Sequence, residues 1–283
     1  MKFENTQVFN FEGAFRGMRN PLESWAKSDS FFGLINPDYD FPETDISDYW
    51  IEQENQQRIE QGKEPWSADA ENYSDYYEVL DKYDSWLINN SVLRQNNDNY
   101  LVDVAMLGPN DLGLAQRLIA AGPEHCKFMR QIFVCVDITA PIYWWKEFDT
   151  YKIGTTANST STMHKLASNP IDMSCFETDD YDGNYAVPEY LETYDTYPGQ
   201  FINYLEDLRV KYLETKNKGY WKELVRWLPE SWLQTRTVTL SYANLRNIYF
   251  QRKDHKLTEW HTFCDWVESL PWGKELITLP FEK

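Results

Sequence analysis

The chain has 283 residues, of which 42% are hydrophobic and 16% aromatic, and its formal net charge is -18. This length and composition predict one large domain or two small ones, with enough apolar residues for a core in either case. The charge argues against a nucleic-acid duplex as a partner, because a surface that binds duplex phosphates needs clustered Lys and Arg, whereas one nucleotide phosphate needs only one or two arginines.

We expect a cytoplasmic protein without a membrane partner. No window of the sequence is as long and apolar as a membrane span, and the first residues show neither an apolar signal-peptide core nor a cleavage site. The four cysteines lack the spacing of a metal site, so we predict no metal and expect free, buried thiols in a reducing compartment. They are Cys126, Cys135, Cys175 and Cys264.

The first third of the chain is acidic. Polar and apolar residues alternate at helical spacing from Asp45 to Gln61 and again from Ser74 to Arg94, which predicts two amphipathic helices. We therefore expect residues 1–108 to form an acidic helical extension. It would pack on a core formed by residues 109–283 as one continuous domain.

The next elements have clear local signals. A helix is predicted from Leu112 to Ala121, because Pro109-Asn110-Asp111 is a start signal and Gly122 a stop signal. The run from Ile132 to Val136 is β-branched and aromatic, which is typical of a buried strand.

The stretch that follows this strand concentrates unusual residues. Pro141 suits the first turn of a helix that we expect to end near Gly154, with Trp144 and Trp145 in a core or an interface rather than under a ligand ring. The segment from Thr155 to Thr162 is dense in hydroxyls and predicts a loop that binds an anionic or heterocyclic ligand. The alternative is a structural ladder of hydroxyls against backbone carbonyls.

The C-terminal part is predicted to be mainly helical. Residues Asp172 to Pro188 are acidic and irregular, which predicts a surface loop, and helical periodicity returns from Pro198 to Lys216. The region from Leu240 to Leu270 has the pattern of one long helix. If that helix is unbroken, one of its faces presents either a ligand site or a solvated ion pair, formed by Arg252, His255 and Glu259.

Three of these segments, in this order, are similar to one family. The first runs from Asp111 through Leu118-Ile119 to Gly122 and His125. The second is Ile138-Thr139-Ala140-Pro141 with the Trp-rich helix, and the third comprises Leu228-Pro229, Asn244-Leu245-Arg246, Arg252 and Glu259. Together they resemble the flavin-dependent thymidylate synthases over roughly Asp111 to Val267.

The chain departs from that family at its signature, which is Arg-His-Arg, seven residues, Ser. Placing Asn158-Ser159-Thr160-Ser161 on the family's Asn-Glu-x-Ser puts Tyr151-Lys152-Ile153 at the triplet. A shift of one residue puts Thr150-Tyr151-Lys152 there, and Lys152 is the cation in either register. The family's Glu-His pair falls on Arg130-Gln131.

The resemblance implies an α/β (α+β) fold with a central antiparallel sheet and long flanking helices. It also implies FAD, a dUMP-like pyrimidine deoxynucleotide that is modified at C5 of uracil, and a homotetramer with active sites between subunits. NADPH and methylenetetrahydrofolate join this set if the family reaction is retained. The catalytic residues would be Ser161 and Lys152, the cofactor-binding residues His125, Asn158, Asn244 and Arg252, and the nucleotide-binding residues Arg130, Ser159, Thr160 and Arg246.

A second hypothesis belongs to a different class of protein. The chain would keep the fold and bind a nucleotide, or serve in assembly, without flavin chemistry. A hydroxyl-rich segment beside a missing basic triplet suits a changed ligand better than simple decay of the site. We therefore expect a real ligand in either case.

Overall fold

The computed structural model describes residues 1–35, 55, 58, 59, 61–65, 91–95, 102–179 and 197–281. Most of the helices predicted from Asp45 to Gln61 and from Ser74 to Arg94 lie outside these residues. The strands are β1 (Lys2–Phe9), β2 (Phe31–Ile35), β3 (Ser91–Gln95), β4 (Val102–Met106), β5 (Phe133–Pro141), β6 (Thr156–Ser159) and β7 (Leu233–Ser241). The helices are α1 (Phe11–Arg19), α2 (Pro109–Ala120), α3 (Ile142–Phe148), α4 (Thr162–Lys165), α5 (Tyr197–Thr215), α6 (Lys218–Arg226), α7 (Tyr242–Arg252) and α8 (Thr258–Ser269).

Two sheets are present in the described part of the chain. One has four strands in the order β1-β5-β7-β6, and the other has three strands in the order β2-β4-β3. Strands β6 and β7 are antiparallel, as are both pairs of the three-stranded sheet. Strands β5 and β7 are linked by hydrogen bonds from Thr237 to Asp137 and between Thr139 and Thr235. Residue numbers therefore increase in opposite directions along the two strands, as in an antiparallel pair. This arrangement agrees with the expected mixture of helices and antiparallel sheet.

Strand β5 confirms the strand predicted from its apolar run. Its buried residues alternate along the strand, as one face of a pleated sheet requires: Val134, Val136, Ile138 and Ala140. The chain then passes through Pro141 directly into α3, where Trp144 and Trp145 are completely buried. The prediction that these rings belong to a core is confirmed. They pack with Phe148, Trp260 and Phe263.

The chain divides into two compact units, each made of separate stretches. The first unit comprises Met1–Gln7, Val134–Leu240 and Arg252–Phe263, and the second comprises Val8–Phe133, Ser241–Gln251 and Cys264–Lys283. The second unit runs through residue 108 without a boundary, and the described residues before that position include strands as well as helix. The division into an extension of residues 1–108 and a core of residues 109–283 stays a prediction.

The second unit contains a buried ion pair. Arg19, at the end of α1, donates from Nε to Asp111 Oδ1 at 2.5 Å, and Ser28 Oγ donates to Asp111 Oδ2 at 2.6 Å. Asp29 accepts the backbone N–H groups of Asn110 and Asp111, so it caps the first turn of α2. These bonds fix the start of the predicted helix, which begins three residues before Leu112.

Three sequence predictions need correction. The hydroxyl-rich segment is not a loop, because Thr156–Ser159 forms β6, an exposed edge strand whose backbone pairs with β7. Ser91–Gln95 forms β3, so the helix predicted up to Arg94 is wrong at that end. The helix expected to end near Gly154 ends at Phe148.

The long helix predicted from Leu240 to Leu270 is also wrong. Its start belongs to β7, and the rest is two helices, α7 and α8, with a turn from 253 to 257. In that turn His255 N–H donates to Arg252 O at 2.9 Å, and Leu257 N–H donates to His255 Nδ1 at 3.2 Å. Arg252, His255 and Glu259 therefore do not share one continuous helix face.

Two remaining predictions concern thiols and membranes. Cys126 and Cys264 are buried, Cys135 and Cys175 are half-buried, and the structure shows all four as thiols rather than disulfides. None of the helices in the described ranges has the length and apolar character needed to cross a bilayer.

Candidate functional site

The first unit holds a cluster of polar and aromatic residues around the last residue of α7. Arg252 donates from Nη1 to Glu147 Oε2 at 2.6 Å and from Nε to Tyr151 Oη at 2.7 Å. Its guanidinium carbon lies 4.7 Å from the ring centre of Trp260 and 5.5 Å from that of Tyr151. Two rings and a carboxylate thus fix the position of this cation. We call Glu147, Tyr151, Arg252, His255 and Trp260 the Glu147 cluster.

One oxygen of Glu147 connects the cluster. Besides Arg252, Oε2 accepts a hydrogen bond from Trp260 Nε1 at 3.0 Å and lies 3.4 Å from His255 Nε2. His255 Nδ1 accepts the Leu257 N–H, which assigns the hydrogen of the neutral ring to Nε2, facing Glu147. The carboxylate is therefore oriented by groups from α7, the 253–257 turn and α8.

Glu259 lies apart from this arrangement. It is buried in the first turn of α8, and its carboxylate accepts a hydrogen bond from Tyr143 Oη. Arg252 takes Glu147 as its carboxylate, so the alternative of a solvated ion pair between Arg252, His255 and Glu259 is wrong.

The two residues expected to be catalytic lie in the same unit. Lys152 is exposed, in the turn after Tyr151 and before Gly154, whose φ of 73° suits glycine. Ser161 caps α4: its Oγ accepts the His164 N–H at 3.2 Å and lies 2.8 Å from His164 Nδ1. Within the described residues, no hydrogen bond joins Lys152 to Ser161.

Three predicted ligand residues fall on or next to the edge strand β6. Asn158 stands opposite Thr237 and Ser159 belongs to the same strand, and both are exposed. Thr160 follows directly, and its N–H donates to Thr235 O at 2.9 Å. Their backbones are used in the sheet while their side chains face solvent.

The remaining predicted residues lie in the second unit. His125 and Arg130 are exposed; His125 lies two residues before a short 3-10 turn, Lys127–Arg130, and Arg130 is the last residue of that turn. Asn244 Oδ1 accepts from Ser241 Oγ at 2.6 Å, and Asn244 N–H donates back to that hydroxyl at 3.3 Å. This reciprocal pair closes the first turn of α7, so the amide of Asn244 has a structural role there.

Arg246 is the most buried of the predicted site residues, with 4% of its surface exposed. Nη1 donates to Ile277 O at 2.8 Å, whereas the buried Nε and Nη2 have no hydrogen-bond partner among the described residues. The guanidinium carbon lies 4.8 Å from the ring centre of Phe250 and 4.2 Å from that of Phe281. Burial lowers the pKa of Arg246 from its ordinary value. An unpaired buried donor costs about 1–3 kcal/mol, so this arrangement has a real free-energy cost.

Arg246 and Arg252 do not project from the same side of α7. They are six residues apart, which in an α-helix is roughly 120° around the axis and about 9 Å along it. The two guanidinium groups need separate explanations.

Sequence reasoning identified Arg252 but missed its carboxylate. In the sequence, Glu147 looks like a charged residue at the end of the Trp-rich helix, and its partner Arg252 is 105 residues away. One local signal exists: Glu147 and Tyr151 are four residues apart, so a helical turn brings them to one side.

No family model and no curated protein matches the chain. Among solved structures, it is similar to the flavin-dependent thymidylate synthase ThyX from Helicobacter pylori complexed with FAD and dUMP, with a TM-score of 0.44 and 18% identity over 64% of this chain and 84% of that one. A second structure of the same Helicobacter pylori protein with FAD and dUMP gives a TM-score of 0.44 and 18% identity over 60% and 82% of the two chains. The similarity concerns part of the backbone and does not identify a ligand of this chain.

Proposed function

We propose that this chain binds a pyrimidine deoxynucleotide of the dUMP class together with FAD and modifies C5 of the uracil ring. The observation that carries the proposal is the hydrogen bond of 2.7 Å between Arg252 Nε and Tyr151 Oη. It joins the segment that resembles the family signature to the segment that resembles the family's C-terminal ligand helix, across 101 residues. A ligand site built from both segments requires that they lie close together in this way.

The Glu147 cluster offers chemistry suited to a nucleotide. Arg252 is a positioned cation, and an arginine binds phosphate oxygens through parallel hydrogen bonds. The rings of Tyr151 and Trp260 offer flat apolar surfaces, and Lys152 is an exposed cation next to Tyr151. In this proposal Lys152 stabilises negative charge that develops on a uracil oxygen, and Ser161 bonds the base.

The residues assigned to FAD fit that group less well. Arg252 is paired with Glu147, and Asn244 caps its own helix. His125 and Asn158 are exposed. The flavin part of the proposal therefore depends on the sequence resemblance, and we derive no reaction step through it.

A second candidate follows from the same cluster. Glu147 already neutralises Arg252, and Tyr151 stands at the first Arg or at the His of the family triplet, depending on the register. These features favour a protein that binds a nucleotide, or serves in assembly, without flavin chemistry.

Flavin retention separates the two candidates. The purified protein is incubated with FAD, desalted, and examined for visible flavin absorbance and for a dUMP-dependent rise in Tm. Retained flavin together with a dUMP effect supports the first candidate. A dUMP effect without flavin supports nucleotide binding in the second candidate, and the absence of both refutes dUMP binding in either candidate.

The role of Arg252 has a direct test. We expect dUMP at about one hundred times its Kd to raise Tm by roughly 5–10 °C, and Arg252→Ala to abolish that rise because it removes the phosphate donor. Arg226→Ala is the matched control, since Arg226 is an exposed arginine in the same unit paired with Glu223. Circular dichroism checks that each variant is folded. An equal dUMP effect in folded Arg252→Ala would exclude this arginine from the site.

A further inference from the structure

We infer that Arg246 anchors a separate binding site for a small oxyanion, a phosphate or carboxylate group. The inference does not depend on the proposed nucleotide site, because Arg246 and Arg252 project from different sides of α7. Its starting point is a buried cation whose hydrogen-bonding capacity is only partly used.

The unpaired atoms of Arg246 form one edge of the guanidinium. Nη1 donates to Ile277 O at 2.8 Å, whereas Nε and Nη2 find no partner in the part of the chain that the structure describes. The N–H bonds of Nε and Nη2 point in parallel, which is the geometry that a carboxylate or phosphate fills with two hydrogen bonds. A ligand with two adjacent oxygens would satisfy both donors together.

The described residues supply no counter-charge at this edge of the guanidinium. Within the part of the chain that the structure describes, Arg246 forms no ion pair, although buried arginines are normally paired. Burial raises the pKa of the Cys126 thiol against the opposing effect of the Arg246 charge. Cys126 is therefore a neutral thiol near neutral pH and does not neutralise the arginine.

The residues above the guanidinium leave a route for a ligand. Phe281 lies 4.2 Å from the guanidinium carbon and Phe250 lies 4.8 Å from it, yet their exposed fractions are 43% and 37%. Each ring therefore has solvent on one side. Rotation of the Phe281 side chain would open the guanidinium without unfolding α7.

Inorganic phosphate is the first probe, with sodium chloride at equal ionic strength as the control for screening. We expect phosphate at about ten times its Kd to raise Tm by about 3 °C more than chloride does. Arg246→Met removes the charge and keeps an apolar chain of similar length, so it should abolish this difference. Arg226→Ala, which removes an exposed arginine paired with Glu223, should retain it.

Two further Tm measurements identify the ligand class and distinguish this inference from the proposed function. Acetate tests a carboxylate, and dUMP should still stabilise Arg246→Met if its own site is elsewhere. If Arg246→Met does not fold, Arg246→Lys keeps a cation without the two-donor edge and should weaken the phosphate effect at least severalfold. A wild-type protein that responds equally to phosphate and chloride, or a folded Arg246 variant with the full phosphate effect, overturns the inference.

Discussion

Arg246 and Arg252 lie on one helix, but within the described residues only Arg252 has a carboxylate partner. The sequence marks both as candidate ligand residues because both are arginines near the C-terminal end of a resemblance. The sequence does not show that the two arginines differ, because their hydrogen-bond partners come from distant parts of the chain. Glu147 is 105 residues from Arg252, and Ile277 is 31 residues from Arg246. Which arginine is neutralised is decided by tertiary contacts rather than by local pattern.

A carboxylate on α5 gives a pH prediction. Arg209 donates to Glu206, and this hydrogen bond lowers the pKa of Glu206 below its ordinary value of 4.5. A lowered folded-state pKa stabilises the fold above the unfolded pKa, and that contribution is lost as pH falls through the folded pKa. Glu206→Gln should therefore cost about 1 kcal/mol at neutral pH, a modest value because the pair is partly exposed. Urea unfolding at a series of pH values should show the difference from wild type vanish in acid.

Asp29 is the control, because its pKa is shifted in the opposite direction to that of Glu206. Burial raises its pKa above the ordinary value of 3.8, despite the backbone N–H groups of α2 that favour the charged form. Asp29→Asn keeps an acceptor for one of those two N–H groups and places an amide NH₂ toward the other. The advantage of wild type over this variant should shrink as pH rises through the folded pKa of Asp29. The same direction of change in both variants would contradict the assigned environments.

At the scale of elements, local signals predicted some of the fold well. The apolar run of β5 and the start and stop signals of α2 are properties of neighbouring residues, and both elements form as expected. Strand β6 was missed because its polar residues form a strand only through pairing with β7. The break between α7 and α8 was missed because apolar periodicity continues across it, while His255 and its backbone contacts end the helix. In the candidate site, likewise, the sequence identified Arg252 and the structure supplied its partners.

The junction of α1 and α2 gives a prediction at this scale. Arg19 and Asp111 are buried partners with exposed fractions of 5% and 0%, so Arg19→Met leaves a carboxylate buried without its cation. We expect a loss of about 3–5 kcal/mol in the free energy of unfolding, measured by urea denaturation. Arg16→Met is the matched control on the same helix, because Arg16 is exposed and 4.0 Å from Glu12, and it should change stability by less than about 0.5 kcal/mol. Similar losses in the two variants would contradict a stabilising role for the buried pair.

For the whole molecule, charge and apolar surface act in opposite directions. The net charge of -18 makes copies of the chain repel each other. Large apolar side chains on α5 and at the end of α6 remain partly exposed, with exposed fractions of 43% for Tyr204, 38% for Leu213 and 51% for Trp227. Burial of such residues between chains would favour assembly. The balance should therefore depend on how strongly the solvent screens the charges.

The homotetramer implied by the sequence resemblance can be tested through that balance. Light scattering at physiological ionic strength should give a mass four times the chain mass of 33.6 kDa. The Debye length grows from about 8 Å at 0.15 M salt to about 30 Å at 0.01 M, so repulsion between chains should lower the average mass at low salt. Sodium chloride is the salt to vary, because sulfate and phosphate are candidate ligands of Arg246. A mass of one chain at every salt concentration would rule out the tetramer, and a tetramer unaffected by salt would show that apolar contacts outweigh the charge.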